Sequence, residues 1–488
     1  MKMASPSLGL FLDIEHSVPV SSPPPAAQRD NQGLVQPQSD LVLNELHPRS
    51  DRSSAVPLGI PKSQLPSVIL ENEGRDWVAD RTTTSWKTKW RLLSVCLVLF
   101  GNGMNDSAPG ALIPHIENHY DIGYAIVSLI FVGNALGFIS AAPFTHSIEQ
   151  KLGWSNTYAF SMSLLATAYV VIICQPPFAA VVVCFFLLGF GVALNLALSN
   201  VYCANLANGT TALGLACGAY GIGGTVAPLF ATAMESNGIR WSFFYFIPLA
   251  VCLANLAFTT WAFLNLEQDN FAETQGALRP TDQNPIPEDE YLNRTQVLKK
   301  SIRNRTTLLG ALFIFAYQGA EVSISGWMVS FLISYRHGDP SRVGYVSAGF
   351  WAGITTGRFL LTYPAARWGE KITVAAMIAG AVVFQLMTWL IPNVISEAVT
   401  VAILGVLLGA VYPCATSVFT KLLPRNMHMS SLSFVSALGS SGGAVWPLLT
   451  GILSQNVGTM VLHPICLGLY GVMAISWILL PKISKRSD

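Results

Sequence analysis

Long apolar stretches recur along residues 90–481, and each is about 20 residues long. An α-helix of that length rises about 30 Å, which matches the hydrocarbon core of a bilayer. The pattern therefore predicts an all-α membrane protein with twelve transmembrane helices. We place the spans at roughly 91–114, 123–145, 155–174, 178–202, 210–234, 241–264, 306–334, 342–364, 371–391, 397–422, 428–454 and 461–481.

Polar stretches divide the chain into parts. Residues 1–85 are rich in Pro and Ser and carry no sustained apolar period, which predicts a disordered cytosolic N-terminal tail. Residues 265–304 form a second polar stretch, predicted to be a cytosolic central loop. It separates an N-terminal six-helix half at 90–264 from a C-terminal six-helix half at 305–481. Residues 482–488 are predicted to be a cytosolic C-terminal tail.

Basic residues predict the orientation of the chain in the membrane. Lys and Arg concentrate in the segment before the first span, in the central loop and in the C-terminal tail. The loops on the opposite side hold only Arg240, Arg336 and Arg342. Because cytosolic loops carry an excess of Lys and Arg, both termini are expected in the cytosol.

The two halves resemble each other in sequence. The frame GG-x-V-x-PL occurs in the fifth span from Gly223 and in the eleventh span from Gly442. The first and seventh spans align at a similar displacement, and this alignment places Asp106 opposite Glu321. A duplicated six-helix unit with a cytosolic central loop is the architecture of a major facilitator fold.

Composition and motifs exclude several function classes. Hydrophobic residues make up 51% of the chain and charged residues 11%, and the net charge of +1 gives no electrostatic support for nucleic-acid binding. The eight cysteines form no CxxC pair, and the sequence contains no GxxxxGK[ST] or HExxH motif. We therefore expect no enzyme activity, no cofactor and no metal. The expected partners are a small-molecule solute and the lipid bilayer.

Three ionisable residues lie well inside the predicted spans, at Asp106, Glu321 and Arg358. An ionisable group in a membrane costs free energy unless it is paired, protonated or hydrated, and it commonly marks a substrate or proton pathway. Helix rise places Asp106 and Glu321 at similar depth, beyond the midplane. Both are candidates for proton coupling in a central cavity. The alternative is a hydrogen-bonded structural acid.

Polar and aromatic residues surround the two acids in the sequence, and such a mixture of donors, acceptors and flat rings suits a hydroxyl-rich solute. The alternative for the amides is hydrogen bonding between helices. The predicted substrate- or proton-binding residues are Asn102, Asp106, Asn134, Asn195, Asn200, Tyr317, Gln318, Glu321, Trp327 and Trp351.

Charged residues at the cytosolic ends of the spans are candidates for gating. Arg358 lies near the cytosolic end of its span, so helix rise favours a gating or snorkelling role over an ion pair with Glu321. The predicted gating residues are Glu149, Lys151, Arg358, Arg367 and Lys371.

The seventh and eighth spans carry a family resemblance. The segments "YQGAEVSISGWMVSFL" (317–332) and "GFWAGITTGRFL" (349–360) resemble the fucose/galactose/glucose:proton symporter branch of the major facilitator superfamily, in a fungal form. The resemblance implies twelve helices, alternating access and proton-linked sugar uptake. It also implies a functional acid in the first helix, where Asp106 stands. The acid of the family's fourth helix has no counterpart, and Asn195 and Asn200 are the nearest polar residues.

These observations predict a secondary active transporter that moves a small, polar, sugar-like solute, with protons as the coupling ion. An exporter of a secondary metabolite or drug is the alternative, followed by a non-transporting membrane nutrient sensor. The expected location is the plasma membrane, with the vacuolar membrane as the alternative. The resemblance implies a monomer.

Overall fold

The computed structural model describes residues 86–206, 209–264, 266, 303–423 and 428–481. Every regular element in these ranges is helical. The helices are α1 (Trp86–Tyr120), α2 (Tyr124–Val127), α3 (Leu129–Ile173), α4 (Phe178–Ala204), α5 (Gly209–Ser236), a 3-10 helix (Trp241–Tyr245) leading into α6 (Phe246–Phe263), α7 (Arg305–Ser334), α8 (Pro340–Leu360), α9 (Thr362–Trp368), α10 (Glu370–Leu390), α11 (Val394–Leu422), α12 (His428–Val457), and a 3-10 helix (Thr459–Val461) leading into α13 (Leu462–Ile478).

These helices make twelve crossings in the described residues. Two crossings lie in the continuous segment Tyr124–Ile173, which reverses at Gly153, where φ is 75°. Glycine tolerates that left-handed conformation because it has no Cβ. Eight helical segments, this one included, are long and apolar enough to cross a membrane on those criteria alone. The remaining crossings are α1, α8 and α12, which are less apolar and line the interface between the halves. The predicted twelve-helix fold is confirmed.

Three helices of the C-terminal half begin at side-chain caps that the sequence supplies. The Asn304 carboxamide accepts a hydrogen bond from the Thr306 amide at 2.8 Å at the start of α7. Asp339 precedes Pro340 at the start of α8, and Asn393 caps α11. Each side chain accepts a hydrogen bond from a backbone N–H in the first turn, where such groups have no partner within the helix. These caps fix where the helices emerge from the closely packed bundle.

The backbone itself repeats between the halves. Six of the seven described residues with positive φ recur in pairs separated by nearly the same number of positions, and each pair occupies matching turns: Asp121 (50°) with His337 (54°), Gly153 (75°) with Gly369 (102°), and Gly238 (72°) with Gly458 (93°). Gln175 (52°) has no such counterpart. The repeated GG frame behaves in the same way, because Gly223 packs on the Phe100 carbonyl and Gly442 packs on the Phe315 carbonyl. Such glycines let helix backbones approach closely. The duplication read from the sequence is therefore present in the turns and in the packing.

The two halves meet tightly at one end of the bundle. Gly451 of α12 leaves no room for a side chain beside Ser128 and the Trp327 ring, and Gly344 of α8 lies directly against Thr232 of α5. We call this region, which carries the turns at 121–123 and 335–339, the closed end. Toward the opposite end, Cys217 of α5 is exposed.

Several predicted parts lie outside the described residues. The N-terminal tail at 1–85 and the C-terminal tail at 482–488 fall there, as does nearly all of the central loop at 265–304. Their predicted disorder and cytosolic location stay predictions.

Candidate functional site

Asp106 is the N-terminal half's contribution to a polar cluster at the middle of the bundle. It lies in α1, one turn before Pro109. Its Oδ2 accepts a hydrogen bond from the Tyr220 hydroxyl of α5 at 2.7 Å, and its Oδ1 accepts one from Asn105 Nδ2 at 3.2 Å. The Tyr169 hydroxyl of α3 donates in turn to Asn105 Oδ1 at 3.2 Å. Asp106 is thus held by α5 directly and by α3 through one amide.

The C-terminal half contributes Glu321 of α7 and Arg358 of α8. Arg358 Nη2 lies 3.8 Å from Glu321 Oε1, and the two side chains are 22% and 7% exposed. The Arg358 guanidinium carbon also lies 5.8 Å from the centre of the Tyr220 ring, which belongs to the other half. A cation over an aromatic ring is attracted by the ring's negative face. One arginine therefore contacts an acid of its own half and an aromatic ring of the other.

The sequence favoured a gating or snorkelling role for Arg358 over an ion pair with Glu321, but in the structure the two side chains lie within ion-pair distance. The eighth crossing does not end near residue 364, because α9 carries it on to Trp368. Arg358 is therefore deeper in the bundle than its predicted span implied. The length of the arginine side chain covers the remaining difference in depth. The gating role of Arg358 stays a prediction.

Trp351 lies at the same contact between the halves. Its Nε1 donates to Ser325 Oγ of α7 at 2.9 Å, which fixes the indole within the C-terminal half. The indole packs on Gly224 of α5, and its ring centre lies 6.1 Å from that of Tyr220. The predicted residues Asp106, Glu321, Trp351 and Arg358 are therefore brought together, with Tyr220 between them.

The predicted amides lie in different surroundings. Asn195 of α4 is fully buried, accepts from the Ser161 hydroxyl and lies 3.5 Å from Asn102 Oδ1, so it joins helices within one half. Asn102 Nδ2 and Asn134 Oδ1 are buried and have no hydrogen-bond partner among the described residues. Asn200 is exposed near the end of α4. Of these four amides, Asn102 and Asn134 each have a buried polar atom without a partner among the described residues.

The remaining predicted residues of α7 lie at three places. The Tyr317 side chain is fully buried inside the C-terminal half, where its hydroxyl donates to the Leu408 carbonyl at 3.2 Å and the side chain also interacts with Glu321, so Tyr317 belongs to the cluster. Gln318 is half-buried and faces α12 near Gly443. Trp327 donates from Nε1 to the Pro447 carbonyl at 2.9 Å and packs 5.7 Å from Tyr124, at the closed end.

The predicted gating residues do not form one cluster in the described structure. Glu149 lies 3.6 Å from His146 of its own helix, and Lys151 and Arg367 are exposed. Lys371 Nζ contacts the Leu480 carbonyl at 2.8 Å, near the C-terminal end of α13. In this conformation these residues lie at the periphery of the bundle.

The sequence analysis missed Tyr220 at the site and Trp446 at the contact between α7 and α12. Tyr220 sits in the glycine-rich segment "GAYGIGG" (218–224), and an aromatic ring between close-packing glycines is the signal for it. Trp446 belongs to the second GG-x-V-x-PL frame, and its buried Nε1 has no partner among the described residues.

Comparison with known proteins supplies an independent assignment. The family model described as Major Facilitator Superfamily matches residues 95–447 and 320–487. The chain is 25% identical over 412 residues to "Bypass of stop codon protein 6" of Saccharomyces cerevisiae, with 80% of this chain and 83% of that protein covered. It is 26% identical over 396 residues to a glucose/galactose transporter of Brucella abortus, with 75% and 88% covered.

Solved structures share the fold. The Escherichia coli fucose:proton symporter superposes with a TM-score of 0.54 at 15% identity, covering 80% of this chain and 98% of that chain. A bacterial homologue of the human lysosomal transporter Spinster, in an inward-facing and unoccupied conformation, gives a TM-score of 0.60 at 12% identity, covering 81% and 95%. At these identities the likeness concerns the fold alone.

Proposed function

The chain belongs to the Major Facilitator Superfamily, a family of transporters, and we propose that it carries a sugar-like polar solute across a membrane by alternating access, together with protons. Two similarities support this substrate class. One relative is called a glucose/galactose transporter, and one protein of the same fold is called a fucose:proton symporter. The proposed location is the plasma membrane, with both termini in the cytosol and the protein working as a monomer.

One observation carries the proposal, namely the chain of contacts from Asp106 through Tyr220 to Arg358 and Glu321. It joins an acid in each half at the place where the halves meet. A change of charge at either acid alters the electrostatic interactions across that contact, and these are strong where water is scarce. Proton binding and the relative position of the halves are therefore linked in this proposal.

Polar atoms without partners support a hydroxyl-rich solute. Asn102 Nδ2 and Trp446 Nε1 are unused donors and Asn134 Oδ1 is an unused acceptor, and a buried polar atom without a partner costs free energy. Solute hydroxyls can both donate and accept, so they can pair with either kind of atom. The rings of Tyr220 and Trp351 supply apolar faces at the contact between the halves.

The closed end supports alternating access. With the termini in the cytosol, the closed end faces away from the cytosol, and the exposed Cys217 lies on the cytosolic side. A solute released toward the cytosol needs that side open. We propose that the described conformation is the one that follows release of the solute.

Uptake of a labelled sugar panel tests the proposal. Cells lacking their own hexose carriers would express the protein, and uptake would be measured at two external pH values with and without a protonophore. We expect saturable uptake that the protonophore reduces. Asp106→Asn and Glu321→Gln should abolish the accumulation, whereas Asp339→Asn, an isosteric change at the exposed cap of α8, should leave it intact.

Two results would contradict the proposal. Absence of uptake for every sugar, in cells where the protein reaches the surface, would refute sugar import and direct the next assay to efflux. Full, protonophore-insensitive uptake by Asp106→Asn would refute proton coupling while leaving solute transport in place.

A further inference from the structure

Tyr220 contacts both halves at once. It lies in α5 of the N-terminal half, and its hydroxyl donates to Asp106 Oδ2 at 2.7 Å. Its ring lies 5.8 Å from the Arg358 guanidinium carbon and 6.1 Å from the Trp351 ring centre, and both residues belong to α8 of the other half. The hydroxyl is therefore engaged within one half while the ring is engaged by the other.

Glycines of α5 hold the Tyr220 ring against α8. Gly221 lies directly against the Thr355 side chain, and Gly218 lies directly against the Phe359 ring. Gly224 meets Trp351 in the same way. Because α8 fits into these gaps, movement of α8 away from α5 withdraws Arg358 from the ring. The contact of the arginine with Tyr220 thus depends on the relative position of the halves.

The orientation of the ring depends on Asp106. A tyrosine ring on a flexible side chain keeps one orientation when its hydroxyl has a fixed partner, and a carboxylate is a strong one. A solute hydroxyl or a proton that takes up Asp106 Oδ2 competes with the Tyr220 hydroxyl for that oxygen. When the hydroxyl is released, the ring is free to leave its place beneath Arg358.

We propose that Tyr220 is a latch that links the occupancy of Asp106 to the contact between α5 and α8. It is a positioning residue, acting on the approach of the halves through Asp106 and Arg358. The inference rests on the proposed transport function, because a latch of this kind has a use only if the halves move. With the Asp106 oxygen free of solute, the latch stabilises the conformation in which Cys217 is exposed.

Two other tyrosines show what a packing role would be. The Tyr245 hydroxyl is buried without a hydrogen-bond partner among the described residues, so its ring alone stabilises the bundle. The Tyr169 hydroxyl is bonded to Asn105, but both residues belong to the N-terminal half. Tyr220 combines a bonded hydroxyl with a ring that faces the other half.

Two native cysteines allow a direct test with the purified full-length chain. Cys217 lies three residues before Tyr220 and is exposed toward the end opposite the closed end, whereas Cys174 is exposed at the end of α3. Labelling with N-ethylmaleimide would be read at each cysteine by peptide mass spectrometry. The ratio of the Cys217 rate to the Cys174 rate then reports the conformation and cancels differences in reagent.

Tyr220→Phe removes the hydroxyl and keeps the ring. We expect the labelling ratio to fall about threefold or more, because a hydrogen bond to a carboxylate is among the stronger ones in proteins. Tyr245→Phe is the matched control and should leave the ratio unchanged. In an Asp106→Ala background the acceptor is already absent, so adding Tyr220→Phe should have no further effect.

An unchanged or increased ratio in Tyr220→Phe overturns the latch. An equal fall in Tyr245→Phe also overturns it, because the effect would then come from packing. A further fall in the Asp106→Ala background shows that Tyr220 does not act through Asp106. The labelling assay needs no solute, so a negative sugar-uptake panel refutes the proposed substrate and leaves this result standing.

Discussion

The ion pair between Glu321 and Arg358 is the contact that sequence reasoning disfavoured, and it can be tested without knowledge of the solute. The perturbations are Glu321→Gln, Arg358→Gln and the combination of both. Each single change leaves one charge in the bundle without its partner at 3.8 Å. The double change removes both charges and keeps polar side chains of similar length. The three variants complete a double-mutant cycle.

The exposures of the two side chains set the expected magnitudes. Removing one partner of a buried ion pair costs about 3–5 kcal/mol, because the remaining charge stays desolvated. Glu321 is 7% exposed, so Arg358→Gln, which strands the carboxylate, should cost near the upper value of about 5 kcal/mol. Arg358 is 22% exposed and keeps the Tyr220 ring, so Glu321→Gln should cost about 3 kcal/mol.

The double variant should cost clearly less than either single change, because it leaves no charge stranded in the bundle. The two single losses are therefore expected to be strongly non-additive, as for other residues in contact. The assay is equilibrium unfolding of the purified full-length chain in mixed micelles, followed by tryptophan fluorescence. Arg342→Gln is the control, because its partner Asp339 and the arginine itself are mostly exposed, and it should cause no measurable loss.

Two outcomes would refute this reasoning. If the two single losses simply add in the double variant, the side chains do not interact in the folded protein. If Glu321→Gln lowers the stability more than Arg358→Gln does, then desolvation of the remaining charge does not determine the loss. The different exposures of the two side chains would then not explain the stabilities.

Three further predictions concern packing and stability. Gly353→Ala should sharply reduce the yield of monodisperse protein in gel filtration, because the added Cβ would clash with a backbone carbonyl of α11. Gly349→Ala on the same helix has room for a Cβ and should be tolerated, so equal yields of the two variants would contradict this prediction. Arg336→Met leaves Glu397, which is fully buried 2.5 Å from the arginine, without its partner and should lower the free energy of unfolding by about 3–5 kcal/mol. Adding Glu397→Met should restore most of the lost stability, and no recovery would refute the pairing. Trp327→Phe loses a buried donor to an α12 carbonyl and should cost about 1–3 kcal/mol in the same unfolding assay, and an unchanged stability would show that the bond contributes nothing.

Much of the fold was predictable from local patterns. Apolar length predicts a membrane crossing because a helix must satisfy its own backbone hydrogen bonds in lipid. The repeat of GG-x-V-x-PL predicted the duplication, and the structure adds Gly153 and Gly369 as matching reversals. The end of the eighth crossing was not predicted correctly, because α9 continues it past a short irregularity at Leu361.

The site was only partly predictable, because the separation of two residues in the sequence does not show whether they touch across the two halves. Asp106 and Glu321 were singled out by the cost of placing an acid in a membrane helix. Tyr220 was missed because a tyrosine in an apolar helix has no such cost and no distinguishing period. Its role depends on α8, which is distant in the sequence and reaches it only through the packing of the two halves.

Sequence alone was sufficient to predict the membrane class, the duplicated set of helices and the acids at their centre. Each of these follows from the free energy of moving the side chains of a single helix from water into the membrane. Tertiary structure decided which of those groups touch. The Glu321–Arg358 pair and the Tyr220 contacts arise where α1, α5, α7 and α8 converge. Glycines let these helices approach closely enough for their side chains to touch. That approach requires both halves to be packed together, so the sequence of one half alone does not determine it.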